Sequence, residues 1–533
     1  MVSSWAVSIT ALLAFAVWRV TRRRVLSDIR GPAVPSRLLG HEKVVRGMEQ
    51  VGDLEFKWVR EFGPTWLTKN CYGEDNLWTA DPKALQYVFH TSGYRFSKRL
   101  VAVEVTKLFT GQGILSASAD DHQRHRKIMN PAFGAAQLRT FLPIFRRSAA
   151  RLGQKWKDQL QANSTAEGGV LNISRLLARM TLDVIGEVAF DDRLGALDDK
   201  ENELAKSFDG LFLDTLLYPP SWDLLFKASW RFLPTPVMNL IKYLPTKEYK
   251  RFREYLQTAF RTGKNLIEEK ASATEKGNKD IMSILVQSNL SEDARFRLNE
   301  NEILSQIATL LVAGHDTTAN SLTWLLYELS KHPEDQRRIR DEIAATRERM
   351  EARNDEDFSP ADLDSMTFMN AAIKEVLRLH PIVPTLVREA DQDDVIPLAI
   401  PIETKSGKVI SEIPIVKGTP ITASICTYNR LESVWGEDAA EWNPNRFVES
   451  RERTTVGIFA NLMTFSAGIR GCIGWRFAVL EMQAVLAELI ETFDFRFPDD
   501  VEIIRLNAGL MVPMVRGKMQ EGIQIPLHVS VLR

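Results

Sequence analysis

The sequence predicts a mainly α-helical fold, one large helical domain with a small β-sheet portion behind an N-terminal membrane-anchor helix. Three observations carry this expectation. Long stretches repeat apolar residues with a 3.6-residue period and are punctuated by Pro and Gly. Strand-like pieces are short and few. No internal repeat or long low-complexity segment interrupts the 533 residues. A 44% hydrophobic composition suits a large core, and 68 basic against 69 acidic residues leave a net charge of −1. With no basic tail or recognition motif, that balance gives no support to nucleic-acid binding.

At the N-terminus, Trp5 to Trp18 is strongly apolar and is followed by Arg19, Arg22, Arg23 and Arg24. A cleaved leader carries its positive charges before the apolar core. Charges after it keep the remaining chain in the cytoplasm. The stretch is short of the ~20 residues of a full span, and Arg19 can extend it by snorkelling. Residues 1–24 therefore read as a signal anchor. Gly31, Pro32 and Pro35 then favour a stiff, extended segment, so 25–45 reads as a proline-rich hinge and 46–533 as the catalytic domain. Helices are expected over about 119–129, 137–160, 171–188, 246–270, 299–331, 333–350, 366–379 and 475–491. Strands are expected at 65–69, 77–79, 386–388, 420–424, 493–497 and 523–527, and an exposed loop at 271–280.

The longest run starts at Asn299, a good N-cap paired with Glu302 three residues on. It ends at Pro333. At ~1.5 Å per residue it would cross a domain, and the stretch Ile307 to Ala313 is apolar nearly all round, which predicts burial. Inside it sit Gly314, His315, Asp316, Thr317 and Thr318. Glycine and adjacent threonines are poor helix formers, and a buried carboxylate needs partners. Two readings stand for this spot: a kink stabilised by threonine bonding back to the helix backbone, or a functional site with ligand close to Gly314.

Three cysteines, Cys71, Cys426 and Cys472, cannot build a disulfide framework and suit a reducing compartment. His122 and His125 lack a nearby partner motif for zinc. Cys472 stands out. Phe465, Gly468, Arg470, Gly471 and Gly474 surround it just ahead of a helical run. Helix N–H groups and a neighbouring cation favour a thiolate there, and the glycines leave room for a flat ligand.

This Phe-x-x-Gly-x-Arg-x-Cys-x-Gly pattern, with every defining position filled, resembles the haem-binding signature of the cytochrome P450 family, and the likeness spans roughly residues 30–533. The resemblance implies the cytochrome P450 fold, with Cys472 as axial ligand to the iron of haem b. Arg470 would lie near a propionate, Phe465 beside the sulfur, and Gly468 and Gly474 in the cofactor loop. The Ala313–Thr318 segment is similar to the family's oxygen-activation motif. That assigns Thr317 a supporting hydroxyl and Asp316 a proton relay, while His315 occupies a variable position and receives no catalytic role. Residues 121–133 resemble the helix that grips a propionate. His122 stands where Trp is usual, and Arg126 fits the second contact; Arg388 matches a third contact more loosely. Arg124 and Lys127 are candidates for steering an acidic redox partner. Glu375 and Arg378, three apart on one helix face, would by themselves be a weak surface pair. Resemblance joins them to Arg446 of a Pro-x-Arg-Phe pattern as a buried structural triad.

The implied activity is a membrane-anchored monooxygenase on the cytosolic face of the endoplasmic reticulum. It would insert one oxygen atom from O2 into a lipophilic small molecule, of terpenoid, fatty-acyl or similar secondary-metabolite type. Electrons would come from NADPH through NADPH-cytochrome P450 reductase, with cytochrome b5 as a second donor. Substrate contacts are expected at 100–117, 310–313, 382–386 and 510–513. The rival readings are a haem-thiolate isomerase or dehydratase, a fatty-acid hydroxylase, and a non-catalytic haem-binding membrane protein.

Overall fold

The computed structural model describes residues 26–162, 168–198, 203–208, 210–272, 280–449 and 455–532. The anchor at 1–24 and nearly all of the 271–280 loop lie outside the described residues. Among those described, no helix is long and apolar enough to cross a membrane.

Helices dominate. The longest, Glu300–Lys331, opens with the capping box read from Asn299 and Glu302, and all but a few of its residues from Leu304 to Ser330 are buried. Helices Ile173–Phe190, Lys247–Ser272, Thr367–Leu379 and Trp475–Thr492 pack around it. Helix Trp475–Thr492 is clamped against Ala135–Ala162 by Phe477, whose ring meets Phe145 edge-on at 4.9 Å.

The main sheet has five strands in the order Thr65–Lys69, Asp75–Thr79, Pro420–Ser424, Thr385–Ala390 and Phe96–Ser97. Only the contact of Asp75–Thr79 with Pro420–Ser424 is parallel. Gly169–Asn172, Pro526–Val531 and Phe493–Arg496 form a small three-stranded sheet. The expected helix from 171 thus starts at Ile173. Asn172 ends a strand paired with Pro526 and then caps the helix through Ser174 N–H. The strand expected at 523–527 runs over Pro526–Val531.

Two hairpins escape the sequence reading: Asp394–Glu403 with Val409–Ile415, and Ile503–Asn507 with Met511–Val515. Pro397, Pro401, Pro414 and Pro513 fall inside them, which argues against a strand. Each hairpin is an isolated two-stranded sheet, where a missing N–H can face away from the partner.

The proline-rich segment is not a free hinge over its described part. Leu26 and Ile29 are buried in the cluster formed with Leu67, Leu77 and Ile402. Leu67 N–H donates to Arg30 O at 2.9 Å, and a Cβ on Gly31 would strike Leu67 O at 1.9 Å. From Leu26 onward the chain is docked.

Candidate active site

The loop 465–474 is built by tight backbone turns. Cys472 N–H donates to Phe465 O at 2.9 Å and Gly471 N–H to Gly468 O at 3.0 Å. Gly468 has φ +60, and a Cβ there would stand 2.1 Å from Phe89 O. Its glycine is therefore demanded by backbone conformation and by the neighbouring chain, not by a ligand. At Gly471 the obstacle is Ile458, 2.9 Å away. Only at Gly474, whose nearest obstacle is Phe133 at 3.7 Å, does packing leave the choice of glycine open. Phe465 stacks edge-on with Phe459 at 5.8 Å.

Cys472 is accessible, yet burial pushes its thiol pKa up, with Gly474 N–H and Arg126 pulling the other way. Both facts hold if the sulfur opens on an interior chamber walled by protein and not on bulk water. The central helix opens in one stretch too. Ala313 is exposed and Gly314, Asp316 and Thr317 are half-buried, although both flanks of the helix are sealed.

Around the cysteine loop the fold gathers cations. Arg470, with an unpartnered buried Nε, donates to Ala117 O at 3.2 Å and lies over the Tyr94 ring. Arg126 donates to Gly471 O. Arg388, on strand Thr385–Ala390, is 7% exposed, and burial and then Arg470 push its pKa down to about 10. Lys98 donates to Leu115 O, and burial, Arg470 and Arg388 press its pKa down to about 7. Buried His122 is held neutral, its pKa pushed down to about 3 by burial and then by Arg470, Lys98 and Arg126. Its Nδ1 and the Tyr94 hydroxyl are hydrogen-bonded at 2.8 Å. Tyr94 and Lys98 were missed by sequence reasoning; Arg95 to Lys98 carries no spacing signal and joins the site only through strand Phe96–Ser97.

Among the described residues no carboxylate forms an ion pair with Lys98, Arg126, Arg388 or Arg470, and Asp391 acts on Arg470 only through its charge; buried or half-buried cations that repel one another in this way are costly unless an anion completes them. Two carboxylates on a flat ligand over an accessible cysteine meet that demand, with guanidinium forks suited to them. These residues therefore fit haem b: Cys472 for the iron, and Arg126, Arg388, Arg470, Lys98 and His122 for the propionates.

A pH test follows from Lys98. Depressed from its usual ~10.4, it favours the neutral form in the cofactor-free fold, which gains stability as pH rises from about 7. A bound carboxylate restores the charge, so above pH ~7 Lys98 pulls haem affinity down by at most ~10-fold per pH unit for one proton, against the rise that proton release from Cys472 supplies. Equilibrium haem titrations between about pH 6.5 and 8.5 check this, with affinity in Lys98→Met expected to rise more steeply with pH than in the parent chain.

On the central helix, the Thr317 hydroxyl donates to Ala313 O at 2.8 Å. The helix nevertheless runs unbroken from Glu300 to Lys331, so the back-bond forms without ending it. Gly314 serves helix packing: a Cβ would meet Ile185 at 2.7 Å, and Thr181 Oγ1 reaches His315 O at 3.2 Å. His315, given no role from sequence, pairs through Nε2 with Asp316 Oδ1 at 3.0 Å.

The structural triad is sealed. Arg378 holds Glu375 through two bonds, at 2.7 and 2.8 Å, and Arg446 joins the same carboxylate at 3.2 Å, all three side chains at 0% exposure. Asp438, absent from the sequence reading, binds the far side of Arg446 at 2.7 Å. Arg124 is no free docking residue: it pairs with Glu302 at 2.6 Å and ties helix Ala119–Met129 to the central helix. Lys127 pairs with Glu292 at 2.8 Å. His125 is buried against Glu302 and Gln306 and does not lie on a solvated face.

The apolar segments expected to meet substrate come together partly through backbone contacts. Met511 N–H donates to Ile382 O at 2.7 Å, joining the C-terminal hairpin to the 382–386 loop. Residues 100–110, expected in a loop, form a helix whose Phe109 packs on Phe212 and Phe252.

Comparison with known proteins agrees with this geometry. The family profile described as Cytochrome P450 matches residues 29–520. Cytochrome P450 monooxygenase 205 of Postia placenta is 32% identical, covering 98% of this chain and 96% of its own length. Cytochrome P450 monooxygenase 128 of the same fungus is 33% identical over 99% of this chain and 97% of its own. Cytochrome P450 monooxygenase claQ of Ampulloclitocybe clavipes is 30% identical over 97% and 96%. A profile match over nearly the whole chain, with relatives aligned from end to end, means that this chain belongs to the cytochrome P450 family and is an oxidoreductase of the monooxygenase kind.

Proposed function

We propose that the protein oxygenates a lipophilic small molecule of terpenoid, fatty-acyl or related secondary-metabolite type while attached to a membrane, taking electrons from NADPH through a separate flavoprotein reductase. The observation that carries the reading is the cationic cradle, in which Lys98, Arg388 and Arg470 press on one another, beside an accessible Cys472. Bound there, haem b supplies the activation of O2 and the insertion of one oxygen atom into substrate.

The chain's own residues do the rest. Cys472 anchors the iron, and the cradle fixes the orientation of the cofactor. Thr317, its proton committed to Ala313 O, presents oxygen lone pairs to the chamber and so orients a donor there. Asp316 brings protons to that point as a general acid. Apolar side chains at Leu310, Val312, Ile382 and Leu510 favour a lipophilic partner.

Membrane attachment is supported by the apolar Trp5–Trp18 run in the sequence and by exposed apolar side chains at Trp222 (59%), Leu240 (62%) and Tyr243 (65%). The cytosolic face of the endoplasmic reticulum is the proposed location, with cytochrome b5 as a second electron donor.

Microsomes carrying the chain and a reductase, incubated with NADPH, labelled O2 and a panel of lipophilic compounds, test the reading. One labelled oxygen atom in product is expected, and a product carrying only water oxygen would overturn it. Thr317→Ala should lower product per NADPH roughly 10-fold or more and release the balance as hydrogen peroxide.

A further inference from the structure

The central helix buries a histidine that the proposed reaction has not used. His315 is 5% exposed, and its ring meets the Phe208 ring edge-on at 4.3 Å. Its Nδ1 lies 3.0 Å from Leu311 O. A carbonyl oxygen only accepts, so Nδ1 carries a hydrogen. Its Nε2 lies 3.0 Å from Asp316 Oδ1. That contact also needs a hydrogen, on the ring or on the carboxyl. The pair therefore holds one shared proton whichever side carries it formally.

We infer that His315 is a positioning residue for proton delivery: it fixes the Asp316 carboxyl and shares a proton with it, so that the pair, and not Asp316 alone, feeds the chamber. This rests on the monooxygenase reading of the site.

Three features favour it. Asp316 keeps 22% of its side chain exposed while His315 keeps 6%, so the proton leaves and returns by way of Asp316. Burial opposes a charged His315, yet Asp316 outweighs it through charge and hydrogen bond and leaves the imidazole pKa above its usual value. The titratable group that the other packed helices bring to the pair is Tyr255, from Lys247–Ser272. Its hydroxyl is committed to Ala308 O at 2.9 Å and burial holds its pKa well above the usual value, so it stays protonated. From helix Ile173–Phe190 the neutral Thr181 reaches His315 O, and from Glu203–Phe208 the Phe208 ring meets the imidazole.

In the transfer, the shared proton leaves Asp316 Oδ and bonds to a water in the chamber. The carboxylate and a neutral imidazole remain, and a later water returns the proton. Each oxygenation consumes two protons with two electrons from the reductase, so the pair must recharge between deliveries.

The test uses full-length, haem-loaded enzyme with a reductase, following NADPH oxidation against pH without added substrate. His315→Phe keeps the ring against Phe208 but removes both nitrogens. It is expected to slow oxidation roughly 10-fold near pH 7.5, a fraction of the ~100-fold or more that a positioned acid contributes, and to move the alkaline limb to lower pH. In an Asp316→Asn background the same change should add nothing. A slowing of equal size in both backgrounds would mean a structural role only and would overturn the proposal.

A second readout needs no turnover. Imidazole NMR of the reduced, carbon monoxide-bound protein should show the His315 pKa falling in Asp316→Asn, because the charge and hydrogen bond of Asp316 no longer oppose burial and only the Leu311 carbonyl does. An unchanged His315 titration would also overturn it. Because this measurement requires no oxygenation, its outcome separates failure of the pairing from failure of the monooxygenase reading.

Discussion

Cys472→Ser is expected to abolish the red-shifted carbon monoxide band of the reduced protein and to bring NADPH-dependent oxygenation to background. The thiolate is the ligand that iron requires here. In the cofactor-free fold, burial raises the Cys472 thiol pKa, while Gly474 N–H and Arg126 favour the anion without overcoming it. Binding of iron must therefore release a proton near neutral pH. Serine occupies nearly the same volume, but its hydroxyl ionises far less readily and is a harder ligand. Loop geometry should survive, because it is held by backbone bonds from positions 471 and 472 to Gly468 O and Phe465 O. The cradle residues remain too, so haem can still be retained through its propionates. The prediction separates the two functions of the site: haem content falls partially, whereas the red-shifted band and turnover vanish. An undiminished band in the variant would remove Cys472 from the iron.

Glu375→Ala should be the most destabilising single change outside the cofactor loop, at ~3–5 kcal/mol for a buried pair broken on one side. The carboxylate accepts from Arg378 twice, from Arg446, and from Asn443 N–H at 2.8 Å. Its loss leaves two guanidinium groups sealed from water. Asp438 still neutralises part of Arg446, so Arg378, whose other partners are the carbonyls of Asn429, Ala439 and Glu441, bears most of the cost. Denaturant unfolding of loaded protein, compared with Glu375→Gln, reads the effect. The glutamine variant keeps an acceptor and should lose less. Equal stability of Glu375→Ala and the parent chain would remove the triad from the structural role given to it.

Much of the fold is legible in the residues. Helix ends were marked where a cap coincided with an apolar period, as at Asn299 with Glu302, and strands 65–69 and 420–424 stood out as short apolar runs between turns. Elements were missed where one local rule opposed another. Prolines hid the hairpins at 394–415 and 503–515, and Leu100–Thr110 is a helix within a segment expected to be a loop. Arg124 reads as a docking cation because its partner, Glu302, is 178 residues away along the chain.

The cysteine, its glycines and the acid–alcohol pair are candidates on sequence alone, because their chemistry is carried by residue type and close spacing. The reasons behind several of them needed the fold. Gly468 answers to the Phe89 backbone and Gly314 to Ile185, neither of which is near in sequence. The cationic cradle draws Lys98, His122, Arg126, Arg388 and Arg470 from four separate stretches, and only folding shows that they press on one another. Local pattern reports what a residue can do with its near neighbours. Desolvation and charge, which decide what it must do, depend on groups that the chain brings together only in three dimensions.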